Sequence, residues 1–390
     1  MKLTRLTAAY LSVACVFIVS SINLNEMGNT GSWIKSSAAA LPVILALVFF
    51  TKDRFHSPSL NKTGFYLLMA ILILAILSLA WSVDSPATRT AIIAWIYTIS
   101  VAYLLVSLGT PLLAATVLVL TFGWLCLLSL ALSLFWPDAF VLNHGVMRLQ
   151  GIFYGPHALA RPAAICLCII ASGAVLVRRP LLFTLTLVIG VCLLLTFSRQ
   201  AITAGAIGVI IALFMRVRTY SHVAIIGSLC VFLVIGLFHA YSSGHDLAEI
   251  TSRGEGDDVQ SLTGRTFIWE ATFELINQKP YFGYGFGAGG TALEEYYRAG
   301  TYGWSTFNTH NAFLQILLDL GAAGLILFLI VLVYWLVRCF FVFPALSFSV
   351  FVCVMLLSFV ERGFYSVGGF IPLVLMLALL ARNYRIARSK

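Results

Sequence analysis

Ser261 to Gly324 read SLTGRTFIWEATFELINQKPYFGYGFGAGGTALEEYYRAGTYGWSTFNTHNAFLQILLDLGAAG. Up to His310 it is polar, aromatic and glycine-rich; from Asn311 it becomes an apolar run of helix length. Arg265 opens one amphipathic segment, Gly283, Gly285, Gly287 and Gly289 punctuate an aromatic loop, and His310-Asn311 stand at the mouth of the apolar run. An arginine keeps its charge at any working pH and offers a planar fork to phosphate oxygens. A histidine can take a proton from a hydroxyl near neutrality. Together on one face of a membrane, they suit a lipid-linked phosphate beside an alcohol.

Outward from this stretch the chain is apolar. Of its 390 residues 61% are hydrophobic and 10% charged, and the mean hydropathy is +0.98. Soluble domains carry about a quarter charged residues, so the composition predicts an all-α, polytopic membrane protein. Apolar runs begin at about Lys2 and continue near 33–50, 64–82, 90–108, 111–135, 159–177, 181–197, 200–215, 222–240, 310–337, 343–360 and 364–381, about twelve transmembrane helices. The first follows Lys2 and Arg5 without a small-residue cleavage site and reads as a retained helix. The expected organisation is one membrane domain: transmembrane helices 1–9 over 1–240, an insertion with amphipathic helices over 241–309, and helices 10–12 with a basic tail over 310–390.

Charge sets the orientation. Residues 241–309 hold four basic and nine acidic groups, a net of −5, so the remainder carries +14 to give the total of +9. That excess sits in alternate connectors (Lys52/Arg54/Lys62, Arg178/Arg179, Arg216/Arg218, Arg338) and in the tail Arg382–Lys390. The positive-inside rule then places both termini in the cytoplasm and residues 23–32, 83–89, 136–158 and 241–309 outside. Basic charge so distributed implies no nucleic acid. All eight cysteines lie in or beside apolar runs, without ligand spacing, and read as small apolar side chains.

Within the external segment, Asp246 to Asp258 is acidic but lacks calcium-loop spacing, so no metal is expected. Helical spacing of Ile268, Trp269, Thr272, Phe273, Leu275 and Ile276 predicts a helix over 264–279, with Thr263 as cap and Pro280 as stop; a shorter one is expected over 291–298. Arg265 opens the first, against the helix-dipole preference, which fits an anion-binding role as well as a pairing with Glu270. Arg199, in the hinge Phe197-Ser198-Arg199-Gln200, either snorkels to the interface or meets a ligand. Gln315 and Asp319 read as interhelical hydrogen-bonding groups below His310. The glycine loop carries no Lys-Ser/Thr and follows no strand, so it is a weak phosphate signal. Tyr284 and Trp304 suit stacking on sugar rings or a membrane interface. Arg148 and Arg161, with His144 and His157, are further candidates for phosphate contacts.

These residues also carry a resemblance. His310-Asn311 with Gly321 and Gly324 after it, Arg265 with Trp269, Pro280 with Gly283 and Gly285, and Ser198-Arg199 closing an earlier run are similar to the O-antigen ligase and polymerase superfamily of bacterial envelope glycosyltransferases, over roughly residues 190–330. The resemblance implies a metal-independent GT-C-type enzyme of the bacterial inner membrane with its site on the periplasmic face. Its donor is a glycan on undecaprenyl pyrophosphate. In the ligases the acceptor is lipid A-core and the product is lipopolysaccharide. Carried over by position, Arg199 and Arg265 would hold the pyrophosphate, Asn311 would lie beside it, and His310 would activate the acceptor hydroxyl for an inverting displacement. A polymerase or a protein glycosyltransferase of the same superfamily differs only in its acceptor. A transporter of lipid-linked sugar is the alternative of another class; it would show matched halves, which are not seen.

Overall fold

The computed structural model describes residues 2–20, 28–52, 60–108, 110–143, 146–216, 265–299, 306–366 and 369–381. Five helices are long and apolar enough to cross a membrane, and six shorter apolar helices accompany them among the described residues. The expected run 222–240, the acidic stretch 246–258, Thr263, His144 and Trp304 lie outside the described residues. In order, the helices are α1 (Lys2–Ser20), α2 (Gly28–Lys52), α3 (Lys62–Leu77), α4 (Ser85–Val106) and α5 (Pro111–Leu132). After a hairpin come α6 (Pro156–Ala171), α7 (Arg179–Leu195) and α8 (Arg199–Arg216). Then follow α9 (Arg265–Gln278), α10 (Gly289–Ala299), α11 (Ala312–Cys339), α12 (Pro344–Val360) and α13 (Phe370–Leu380).

Local chemistry starts these helices where they start. Asp84 accepts the amide of Ala87 at 3.0 Å and Thr110 that of Leu113 at 3.3 Å, capping α4 and α5. Proline stands in the first turn of α4, α5, α6, α7 and α12, where its missing N–H costs nothing. Outward faces are apolar: Ile73, Ile93, Trp124, Phe183, Phe214, Ile326 and Val333 are each more than half exposed. Around a whole bundle this is the surface of a protein whose solvent is lipid. The chain is a polytopic membrane protein.

One expectation needs correction. The chain is not wholly helical, because β1 (Phe140–Asn143) and β2 (Val146–Leu149) form an antiparallel hairpin with Phe140 opposite Leu149 and Val141 opposite Arg148. The segment is too short between α5 and α6 for another span, and it alternates branched apolar residues about His144-Gly145, a strand pattern.

The interior is built on close helix contacts. A Cβ on Gly208 of α8 would lie 2.4 Å from Cys168 Sγ of α6 and 3.1 Å from the Ser349 carbonyl of α12. Small residues here let three helices approach without a hydrophobic drive between them. The cysteines behave as expected: the seven described are free and buried.

Helix α11 is broken in its first third. Gly321 has φ 63°, ψ −160°, and a Cβ there would stand 2.3 Å from Tyr281 carbonyl carbon, so only glycine fits. The break exposes backbone groups that must be satisfied inside a bundle. The glycine loop satisfies them: Tyr284 and Gly285 donate to the carbonyls of Leu318 and Asp319, while Ala322 and Ala323 donate to Pro280 and Tyr281. Phe286 follows the loop into the core, edge-on to Trp95 and to Tyr365. The α3–α4 connector clasps the other side through Val83 to the Tyr284 carbonyl, Trp81 to the Phe282 carbonyl and Thr291 to Asp84.

Candidate functional site

Helix α12 stops at Val360, and Glu361 leaves it in an extended conformation, φ −152°, ψ 176°. Only 5% of this residue is exposed. A buried carboxylate needs charged or hydrogen-bonding partners, and Glu361 takes them from three parts of the chain. Arg161 Nη2 of α6 lies 3.2 Å from Oε2. His310 Nδ1, just before α11, lies 3.2 Å from Oε1. Arg265 Nη2, at the start of α9, approaches Oε1 to 3.7 Å. Burial works to raise the Glu361 carboxyl, but the hydrogen bond from His310 and the charges of Arg161, His310 and His157 outweigh it and bring it from 4.5 down to about 2. Two arginines therefore share one permanent anion, and the centre keeps an excess of positive charge. Burial pulls the Arg265 guanidinium below its ordinary value, Glu361 counters, and the neighbouring Arg161 charge adds to the pull.

His310 is held in a conformation that side chains resist. Its φ is +52°, a left-handed value of the sort that clusters at functional positions and costs about 1–3 kcal/mol. The loop is fixed from several sides. The His310 amide donates to Asn308 Oδ1 at 3.0 Å, Thr309 Oγ1 to the Asn311 carbonyl at 2.8 Å, and Trp269 Nε1 to the Thr309 carbonyl at 2.9 Å. Arg362 secures it from below, with Nε 2.9 Å from Asn308 Oδ1 and Nη2 on the Phe307 carbonyl. Because a carboxylate only accepts, the contact with Glu361 puts the imidazole proton on Nδ1. Nε2 is left as the acceptor, and 30% of the side chain is exposed.

Below lies a second buried carboxylate. Asp319 accepts from the amides of Gly287 (2.9 Å) and Gly289 (3.0 Å), from Gln315 Nε2 (3.0 Å) and from Tyr365 OH (2.8 Å). The glycine loop is thus a cradle of amide donors filled by the protein's own Asp319 side chain. The expectation of hydrogen-bonding groups at Gln315 and Asp319 agrees with this arrangement.

The other candidates fall in different places. Arg199 is the exposed first residue of α8; its neighbour Ser198 meets His157 Nδ1 at 3.2 Å, and His157 lies within electrostatic reach of Glu361. Arg148, expected to meet phosphate, is instead 1% exposed on β2, its Nε on the Thr196 carbonyl at 2.8 Å. That bond fastens the hairpin to the end of α7. Asn311 serves as the N-cap of α11, its Oδ1 accepting from Phe313 and Leu314 and its Nδ2 donating to the Phe359 carbonyl. Tyr284 is 6% exposed, its hydroxyl on the Leu275 carbonyl and Gln278, so its ring faces packing rather than an open cleft. Glu361 was not among the expected residues. Its signal was an acid-base pair, Glu361-Arg362, in a turn of a few residues between two apolar runs, the same context that drew attention to Arg199.

Residues 181–329 match the family model described as O-antigen ligase. That stretch is similar to an O-antigen ligase domain. It brings α7–α10 and the first part of α11, with Arg199, Arg265 and His310. The matched stretch does not hold the whole site: Arg161 lies before it and Glu361 after it. Members of this family are glycosyltransferase-like enzymes, ligases or polymerases. The search of curated proteins returned no match.

Proposed function

We propose that the chain is an O-antigen ligase, transferring O-antigen from undecaprenyl pyrophosphate to lipid A-core at the periplasmic face of the inner membrane and completing lipopolysaccharide. The observation that carries the reading is the convergence of Arg161, Arg265 and His310 on the buried Glu361, at the end of the bundle that also holds α9 and α10.

The acceptor hydroxyl meets His310 Nε2, which takes its proton as the oxygen attacks the anomeric carbon. A new C–O bond forms there while the bond to the pyrophosphate oxygen breaks on the opposite face, so the configuration inverts. The electron pair leaves on undecaprenyl pyrophosphate, where Arg161, Arg265 and Arg199 offset the growing charge; fixed cations in a water-poor site do this best. Glu361 holds the Nδ1 proton in place, stabilises the imidazolium, and fixes two arginines before substrate arrives. The step requires no metal.

The test is transfer by the purified protein, with undecaprenyl-pyrophosphate glycan and lipid A-core in the presence of a chelator, read as a gel shift of the acceptor. A shift that His310→Ala abolishes supports the reading. Lengthening of the glycan on its own carrier instead would make the chain a polymerase. Movement of donor across a bilayer without transfer would make it a transporter.

A further inference from the structure

The far end of α11 carries a site that the reaction does not use. Arg338 lies 28 residues from His310, some 40 Å along the helix at 1.5 Å per residue, near the end where Asn61 meets the Leu379 carbonyl. A cavity of about 100 Å³ opens there between α4, α5, α6, α11, α12 and α13. Its wall is hydrocarbon, with Leu118, Ile169, Val350 and Val374 among it; Thr110, Ser347 and Arg338 are the exceptions. Thr110 is engaged as a helix cap and Ser347 donates to the Val342 carbonyl.

Arg338 is 6% exposed. Its Nη1 donates to the Leu379 carbonyl at 3.0 Å and Nη2 to the Ala381 carbonyl, while Nε has no hydrogen-bond partner. The carbonyl ends of α11 and α13 offset part of its charge. No carboxylate among the described residues pairs with it. A buried guanidinium without a carboxylate partner among the described residues, beside a hydrocarbon pocket, suits an anion attached to an apolar chain.

We propose that this pocket binds one anionic phospholipid of the bilayer, the first methylenes of an acyl chain lying among the apolar residues and the phosphate facing Arg338. The positive charge of the neighbouring connectors (Lys62, Arg178, Arg179, Arg216) favours the same lipid class. The site is independent of glycan transfer at Glu361.

The experiment is native mass spectrometry of the full-length protein in detergent, titrated with phosphatidylglycerol or with phosphatidylethanolamine of the same chains. One retained phosphatidylglycerol, preferred roughly fivefold, is the expected result, and Arg338→Gln should abolish the preference. Since Arg338 also ties Leu379 and Ala381, a second variant, Ala378→Phe, fills the pocket with the arginine intact and should lower retention of both lipids. Equal retention of the two lipids by the parent overturns the proposal, as does a preference that survives in both variants. Displacement of phosphatidylglycerol by equimolar undecaprenyl phosphate overturns the identity of the occupant, and displacement by inorganic phosphate overturns the role of the chain.

Discussion

Glu361 makes the site depend on pH in a defined direction. Its carboxyl titrates near 4.5 when exposed and at about 2 in the folded protein. A lowered folded value means that its contribution is complete above 4.5 and is lost as the pH falls toward about 2. At 1.36 kcal/mol per unit, that is on the order of 3 kcal/mol. The unfolding temperature of the parent should therefore drop more steeply than that of Glu361→Gln when scanned from pH 5 down to roughly 3; parallel curves would remove Glu361 from this role. In the transfer assay, His310→Ala should lose at least ~10²-fold in kcat, the usual contribution of a general base. Glu361→Gln keeps an acceptor for Nδ1–H but lacks the charge that supports the imidazolium, so it should retain more activity than His310→Ala, with its pH–rate profile shifted.

Two elements position these residues, and each has its own weak point. The break in α11 depends on Gly321 and on the loop that fills it. Gly321→Ala places a methyl against the Tyr281 backbone at a left-handed φ, and should lower thermal stability by more than the ~1 kcal/mol of an ordinary glycine replacement. Asp319→Asn keeps the shape but offers a weaker, half-matched acceptor to four donors, with an expected loss of about 1–3 kcal/mol; both are read by thermal unfolding in detergent. The His310 loop depends on Arg362, which bonds Asn308 and the Phe307 carbonyl at once. Arg362→Lys gives up that fork. It should reduce kcat of transfer with little change in KM, because the base is displaced while the arginines at Glu361 remain.

On the scale of the molecule, the structure groups connectors as the charge pattern does. The α3–α4 turn meets the glycine loop, β2 meets the end of α7, and Glu361 meets α6, α9 and the start of α11. At the other end Arg216 approaches the Ala171 carbonyl and Arg338 the end of α13. The positive-inside rule predicts that the first end faces the periplasm. A membrane-impermeant maleimide on intact spheroplasts should thus label Glu270→Cys, exposed on α9, and not Arg179→Cys. The native cysteines among the described residues are buried and give little background. The reverse pattern would turn the molecule over and move the site to the cytoplasm.

That most of the chain is membrane helix is legible without coordinates, since hydropathy over a helix length is a local property that needs no partner. The sequence also marked Arg265, His310 and the hinge before Arg199, because charge or titration at the edge of an apolar run is legible one residue at a time. What these groups touch depends on how distant helices pack. Arg161 and Glu361 stand 200 residues apart in sequence, and nothing local says that α6 begins where α12 ends. Arg148, equally conspicuous as a cation, is drawn into a backbone tie by a short hairpin that the apolar runs obscure. The glycine loop, suggestive of an external phosphate, turns out to cradle Asp319 because a helix broken at Gly321 needs its donors and acceptors matched where no water can reach. A charge advertises itself in sequence, but its partner is chosen by how the helices pack.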